Sequence, residues 1–199
     1  MRLPLPVLLM AVVALTGCAA FPGDSAISPT STATTSHVNK HGAPLVTQAE
    51  LDITPFVPDP CRLLSPAQLA QLGVTVIGRP GEGRLGKFCR WIGTDTPARS
   101  DFSLNINTQL GGLDRLYGRK REFPLWQPLE VAGYPAVIAD DADKELGQCR
   151  INLAVSNTVL VAAGLQLRSG VGMPADFTNP CPRVVALLDQ VLVTVKSSR

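Results

Sequence analysis

Histidine is almost missing from this chain: two of 199 residues, His37 and His41. Both fall in a stretch whose composition reads as a tether, so the folded part is expected to hold none. That excludes a Ser–His or Cys–His nucleophile there. No two cysteines stand in C-x-x-C spacing and neither histidine lies among the last four of them, Cys61 to Cys181, which argues against structural zinc. A net charge of +2 is too small to point to a nucleic-acid partner. Internal repeats are absent, and so is any second long apolar run after the N-terminus.

What is present begins with that run. Residues 3–15 are apolar, follow Arg2, and are too short to span a bilayer stably. Small residues close the run, so residues 1–17 read as a cleaved export signal. The ending Leu15-Thr16-Gly17-Cys18 resembles the lipobox of bacterial lipoproteins, in which the cysteine becomes the lipid-modified first residue. Cys18 is therefore the expected lipidation site, and the expected location is the extracytoplasmic face of the cell membrane. Two or three acyl chains would make such an anchor permanent, since one chain contributes only ~0.8 kcal/mol per buried methylene.

Residues 18–54 follow as an expected tether, rich in Ser, Thr, Ala and Pro and too poor in large apolar residues to offset the entropy of ordering. Residues 55–199 are expected to form one extracytoplasmic domain. Setting Cys18 aside, Cys61, Cys89, Cys149 and Cys181 remain, and an even number in an exported chain implies two disulfides. Three pairings are open. Cys61–Cys89 and Cys149–Cys181 are favoured, because each joins a helix start to a nearby strand. Each loop of about 30 residues would contribute ~3.5 kcal/mol on the chain-entropy account.

The clearest local signal is DPCRLLSPAQLAQLG, residues 59–73. Ser65 is an N-cap, Pro66 suits the first helical position, Gln68 closes a capping box, Leu64 and Leu69 can staple the start, and Gly73 ends the helix. Residues 74–77 read as a short strand, 79–86 as a glycine-rich loop, and 87–93 as a second strand with Cys89 and Trp91 on one face. Residues 101–108 alternate apolar and polar, a strand with one wet face. After Gly111 and Gly112, residues 113–121 read as a short amphipathic helix. Strands are expected over 129–131 and 136–139 around a Gly133-Tyr134-Pro135 turn, then a hairpin over 149–155 and 159–167. An apolar stripe from Cys181 to Val195, capped by Asn179 and opened by Pro180, predicts the last helix. The order implies an α+β domain: an antiparallel β-sheet with the N- and C-terminal helices packed on one face, stapled by two disulfides.

Taken together, the lipobox, the D-P-C-x-L-L-[ST]-P element, Cys89-Arg90-Trp91, a basic helix, Gly133-Tyr134-Pro135-Ala136, Cys149 and Cys181 resemble an actinobacterial cell-envelope lipoprotein family of unknown function. The resemblance covers roughly residues 58–195. It implies surface display and two disulfides, and it supplies no reaction.

Candidate chemistry is thin. Residues 81–86 match G-x-G-x-x-G, but they lead into a strand rather than a helix, so a flexible loop is the better reading than a nucleotide site. Asp140, Asp141, Asp143 and Glu145 lack the glycine and glutamate positions of a calcium loop. Arg115, Arg119, Lys120 and Arg121, with Tyr117 and Trp126 nearby, form the best binding candidate, a basic and aromatic patch for lipid headgroups, glycans or an envelope protein. No catalytic residue, metal or cofactor is expected. The sequence thus points to a membrane-anchored, non-catalytic binding or accessory module. A carboxylate-dependent hydrolase of envelope glycans or lipids, and a purely structural protein, are the alternatives.

Overall fold

The computed structural model describes residues 39–140 and 146–198, within a compact unit spanning His37–Arg199. The export signal, Cys18, the first half of the tether and the acidic residues Asp141, Asp143 and Glu145 lie outside the described residues. No helix among those described is long and apolar enough to cross a membrane.

The centre is a seven-stranded, wholly antiparallel sheet. Its strands are β1 (Arg79–Gly83), β2 (Gly86–Gly93), β3 (Ser100–Asn107), β4 (Leu125–Val131), β5 (Tyr134–Asp140), β6 (Gln148–Ala154) and β7 (Leu160–Leu167). They lie side by side in the order β1-β2-β3-β7-β6-β5-β4. Both edge strands carry a proline, Pro80 in β1 and Pro128 in β4, which removes a donor from an otherwise open ladder.

One face of the sheet is the core. Register places Cys89 opposite Leu104, which faces Ala163, which faces Ile151. Trp91, Phe102, Leu165 and Cys149 form the next row. All eight are buried. Helix α3 (Cys181–Ser197) lies on this face, burying Val184, Leu187, Leu188, Val191, Leu192 and Val195 along one stripe. Cys149–Cys181 ties its first residue to β6, with the Cα atoms 5.2 Å apart. Cys61–Cys89 ties a 3-10 turn (Pro60–Leu63) to β2, with the Cα atoms 4.9 Å apart. Gly78 packs so closely on this bridge that a Cβ there would come 2.5 Å from the Cys89 sulfur and 2.8 Å from Trp91 Nε1.

Helix α1 (Pro66–Gln71) starts as its sequence dictates. The Gln68 N–H donates to the Ser65 hydroxyl, and the Ser65 N–H donates to the Gln68 side-chain oxygen at 2.8 Å. The same Gln68 amide reaches across to donate to the Gln190 carbonyl and the Thr194 hydroxyl of α3, so one residue caps one helix and docks it on another. Gly73 follows at φ +73°.

Several expectations are corrected. The tether does not run to residue 54. Residues 39–53 are a strap on the folded unit, burying Ala43, Val46, Leu51 and Ile53. The strap is held by long-range bonds that composition does not announce: Leu51 N–H to Val155 O at 2.9 Å, Tyr134 O–H to Ala49 O, Val46 N–H to Asn157 Oδ1, and Asn157 N–H to Glu50. Residues 74–77 form no strand. The glycine-rich segment is not a loop but β1 and its tight turn, paired with β2 from Arg79↔Arg90 to Gly83↔Gly86. Tyr134 and Pro135 belong to β5, and Ala132-Gly133 makes the turn before it. Pro180, not Asn179, is the N-cap of α3, and it supplies no side-chain bond. The helix start is held instead by Arg183, whose Nε and Nη2 donate to both oxygens of Asp176. That pairing keeps the Asp176 carboxyl below its usual range.

Helix α2 (Gly112–Tyr117) is the element that shapes the second face. The chain leaves β3 near the middle of the sheet and must reach β4 at the far edge, crossing β7, β6 and β5 on the way. The core face is already filled by α3 and the N-terminal turns, so the crossing takes the other side.

Candidate functional site

Side chains on that second face follow from register alone. One row across four strands reads Arg90, Ser103, Gly164, Arg150. The adjacent row reads Phe88, Asn105, Ala162, Asn152. Ser103, Gly164 and Ala162 thus keep most of the middle small, with the Asn105 amide among them, while Arg90, Arg150, Phe88 and Asn152 stand at the flanks. The crossover covers only part of this face. What is left is a groove of about 530 Å³, with a second depression of about 310 Å³ continuing from it. Arg90, Ser103, Arg150 and Gly164 line both.

Each wall has a local cause. On the β1–β2 side, the Phe88 ring lies across Gly81, where a Cβ would stand 2.3 Å from the ring. Only glycine lets the ring fold down there. Leu85 and Arg84, at the hairpin turn, extend the same rim. Opposite stand Leu116 of α2, then Arg119 and Phe123 of the segment that follows. That segment is anchored by aromatic packing on β4. Tyr117 meets Trp126 edge-on at 5.0 Å between ring centres, and Phe123 lies 5.9 Å from it. Burial pushes the Tyr117 phenol above its ordinary pKa. On the floor, Gly164 keeps the groove deep, because a Cβ there would sit 2.7 Å from the Ser103 hydroxyl.

Charge in the groove is mainly positive. The Arg90 guanidinium stacks over Phe88 at 6.0 Å, and neither Arg90 nor Arg84 has a carboxylate partner among the described residues. Arg119 is engaged with Glu122 at 2.6 Å, an exposed pair that holds the Glu122 carboxyl low and the guanidinium high. The acids that line the continuing depression are Asp101 and Asp140. Asp101 accepts a hydrogen bond from the Thr94 hydroxyl, and Asp140 is buried. Among the described residues no cluster of His, Cys, Asp and Glu is arranged to hold a metal.

The family described as protein of unknown function (DUF3558) matches residues 13–194. The chain belongs to that family. No curated protein and no solved structure matches it. The match spans Cys18, the strap, both disulfides and every residue of the groove.

In this DUF3558 chain the basic patch read from sequence does not stay together. Arg115, Lys120 and Arg121 are exposed, but Arg115 turns toward a separate depression beside His41 and Asp114. Arg119 joins the groove wall. Lys120 sits over the Trp126 ring at 6.0 Å. Tyr117 and Trp126 are half-buried and serve to pack α2 on the sheet rather than to stand free. Arg84, Arg90 and Arg150 were beyond sequence reasoning, since only register brings residues so distant in the chain into one face. Alternation in β2 and β6 was the available signal: Arg90 and Arg150 occupy outward positions next to Cys89 and Cys149.

His41 also needs a correction. It lies within the folded unit, so that unit is not free of histidine. Its backbone N–H, with that of Lys40, donates to Asp114 at 2.8 and 2.9 Å. Desolvation pushes the Asp114 carboxyl up, but these bonds, a longer one from Ala43 and the nearby His41 charge hold it below its ordinary value. Asp114 thus clamps the strap to α2.

Proposed function

We propose that this protein is a lipid-anchored, non-catalytic binding module on the extracytoplasmic face of the cell membrane, attached through Cys18. In this reading the ligand is taken on the second face of the sheet. The observation that carries it is the groove of about 530 Å³, within the size range of small-molecule sites, on a face the crossover leaves half open. A face meant only to be solvated has no need of an aromatic wall on each side and a floor kept low by Gly164. The resemblance to an actinobacterial cell-envelope lipoprotein family, carried by the lipobox and the D-P-C-x-L-L-[ST]-P and C-x-W elements, supports the location.

The test has two arms. Cys18→Ala should release the protein from membranes into the soluble fraction. Native mass spectrometry of the chain isolated from its own host's envelope should show a reproducible adduct that is lost in Gly164→Leu, which fills the floor. Membrane retention without lipid in the first arm defeats the anchor, and a bare mass in the second defeats the groove.

A second reading, a carboxylate-dependent hydrolase, draws on Asp101 and Asp140 lining one depression. Glycoside chemistry needs one acid of such a pair in apolar surroundings. Arg90 and Arg150 line the same depression, so the surroundings are charged. Turnover of an envelope glycan that is abolished by Asp140→Asn, with folding retained, would establish the hydrolase instead.

A further inference from the structure

We infer that the groove binds a long-chain fatty acid, with its carboxylate on Arg90 and Ser103 and its chain running past Phe88 between Leu85, Leu110, Leu116 and Phe123. This rests on the groove being the binding site proposed above, and it names the ligand class.

Polarity changes along the groove, and that decides which end takes the charge. At one end Arg90 of β2 faces Ser103 of β3. The Arg90 guanidinium leans over the Phe88 ring, at 6.0 Å from its centre. Register puts Phe88 on one side of Arg90 along the strand and Ile92, which faces Asp101, on the other. Arg90 is thus turned away from that acid and into the groove. Directly across from it in β1 stands Arg79. Like charges opposed across a ladder repel, and neither arginine has a carboxylate partner among the described residues. The one acid of this hairpin, Glu82, is opposite Lys87 and so belongs to the other face. An anion seated between Arg90 and the Ser103 hydroxyl relieves the repulsion. A single guanidinium fork fits a single carboxylate through two parallel bonds. Arg150, at the far flank, already has a partner within the fold and takes no part.

The other end is apolar. Past Phe88, Ala162 forms the floor, with Leu85, Leu110, Leu116 and Phe123 around it. Leu85 is 44% exposed there. The amides of this floor are already committed. Asn107 Oδ1 accepts from the Gln109 and Leu110 N–H groups, and Asn152 is buried. Asn105 donates to the Lys87 carbonyl at 2.9 Å, and its Oδ1 is shut off from solvent. The hydroxyls of a sugar would find few open partners. A peptide fares no better, because β2, β3, β7 and β6 are interior strands whose backbone groups are spent on one another. Its own amides would lose water and gain nothing. A hydrocarbon chain needs no partner. At about 30 Å³ for a group the size of a water or a methylene, the groove of about 530 Å³ has room for roughly 16 carbons. Arg84 is exposed at the hairpin turn by this end, so its stem can cover the chain while its charge stays in water.

The experiment uses the full chain purified from its host and held in phosphatidylcholine nanodiscs. It is exposed to a photoreactive palmitate or to the matching photoreactive hexadecanol, and labelled peptides are mapped by mass spectrometry. Label from the acid on peptides spanning residues 84–90 and 116–123 is the expected result. Arg90→Glu should lower that label about tenfold or more, in line with the loss of a charged hydrogen-bond partner, and leave label from the alcohol unchanged. Ala162→Trp, which fills the floor, should abolish both, with far-UV circular dichroism like that of the wild type. Arg90 is exposed, so its variant decides the question even where Ala162→Trp does not fold. Equal labelling of the wild type by acid and alcohol overturns the carboxylate. Label confined to the tether, label that survives both substitutions, or no label at all overturns the inference too. Adducts on the host-purified chain separate this from the groove reading. A sugar or peptide mass keeps the groove and overturns the fatty acid, whereas a bare chain defeats the groove itself.

Discussion

Leu51→Ala should unfold this protein at a clearly lower temperature, although the residue lies in a stretch whose composition reads as a disordered tether. Leu51 is only 4% exposed, and its N–H is bonded to the Val155 carbonyl at the end of the sheet. Truncating a buried leucine removes transfer free energy and leaves a cavity, together costing about 2–5 kcal/mol. For a domain of this size each kcal/mol lowers the midpoint by roughly 2–4 °C, so a fall of about 5–15 °C is expected. The assay is thermal unfolding followed by circular dichroism, with both disulfides intact. Leu45→Ala is the internal control, since Leu45 belongs to the same strap but is 45% exposed. A surface change of that kind shifts stability by about 0.5 kcal/mol at most. Equal, small shifts for the two variants would mean that the strap does not fold onto the domain, and the reasoning would fail.

The Asp114 clamp should show itself in pH dependence. Its folded carboxyl titrates below its ordinary value, so its contribution is present above that value, near pH 4, and is lost as pH falls through the folded pKa. The gap in midpoint between wild type and Asp114→Asn should therefore be open at pH 7 and close below about pH 4. A gap that does not change with pH would show that the charge is not what holds the strap. Gly112→Ala should be severe for two reasons. The residue sits at φ +79°, and a Cβ there would come 2.1 Å from the Asn157 carbonyl oxygen. A loss of at least about 2 kcal/mol in urea unfolding is expected, whereas a neutral result would mean that α2 does not pack on the β6–β7 turn.

Where neighbours in sequence settle the physics, the chain could be read directly. The α1 start is an example, because the Ser65–Gln68 capping box needs only three residues of separation. The β3 and β6–β7 strands were legible for the same reason, since alternation is local, and so was the stripe of α3. The disulfide pairing followed from which helix starts lie near which strands, and the structure has both bridges. What tertiary structure alone decided was everything that depends on strand order. The strap's buried residues are few and spaced irregularly, and their partners Val155, Asn157 and Tyr134 lie about a hundred residues away. Hydrogen bonding to an existing sheet end orders a segment that its own composition could not. The groove is the same lesson at larger scale. Arg90, Ser103, Gly164 and Arg150 sit on four strands, and no local rule reports that β7 inserts beside β3 while β4 goes to the edge. That order sends α2 across the second face and sets the register of the row, because an antiparallel ladder fixes which side chains become neighbours only once its partners are chosen.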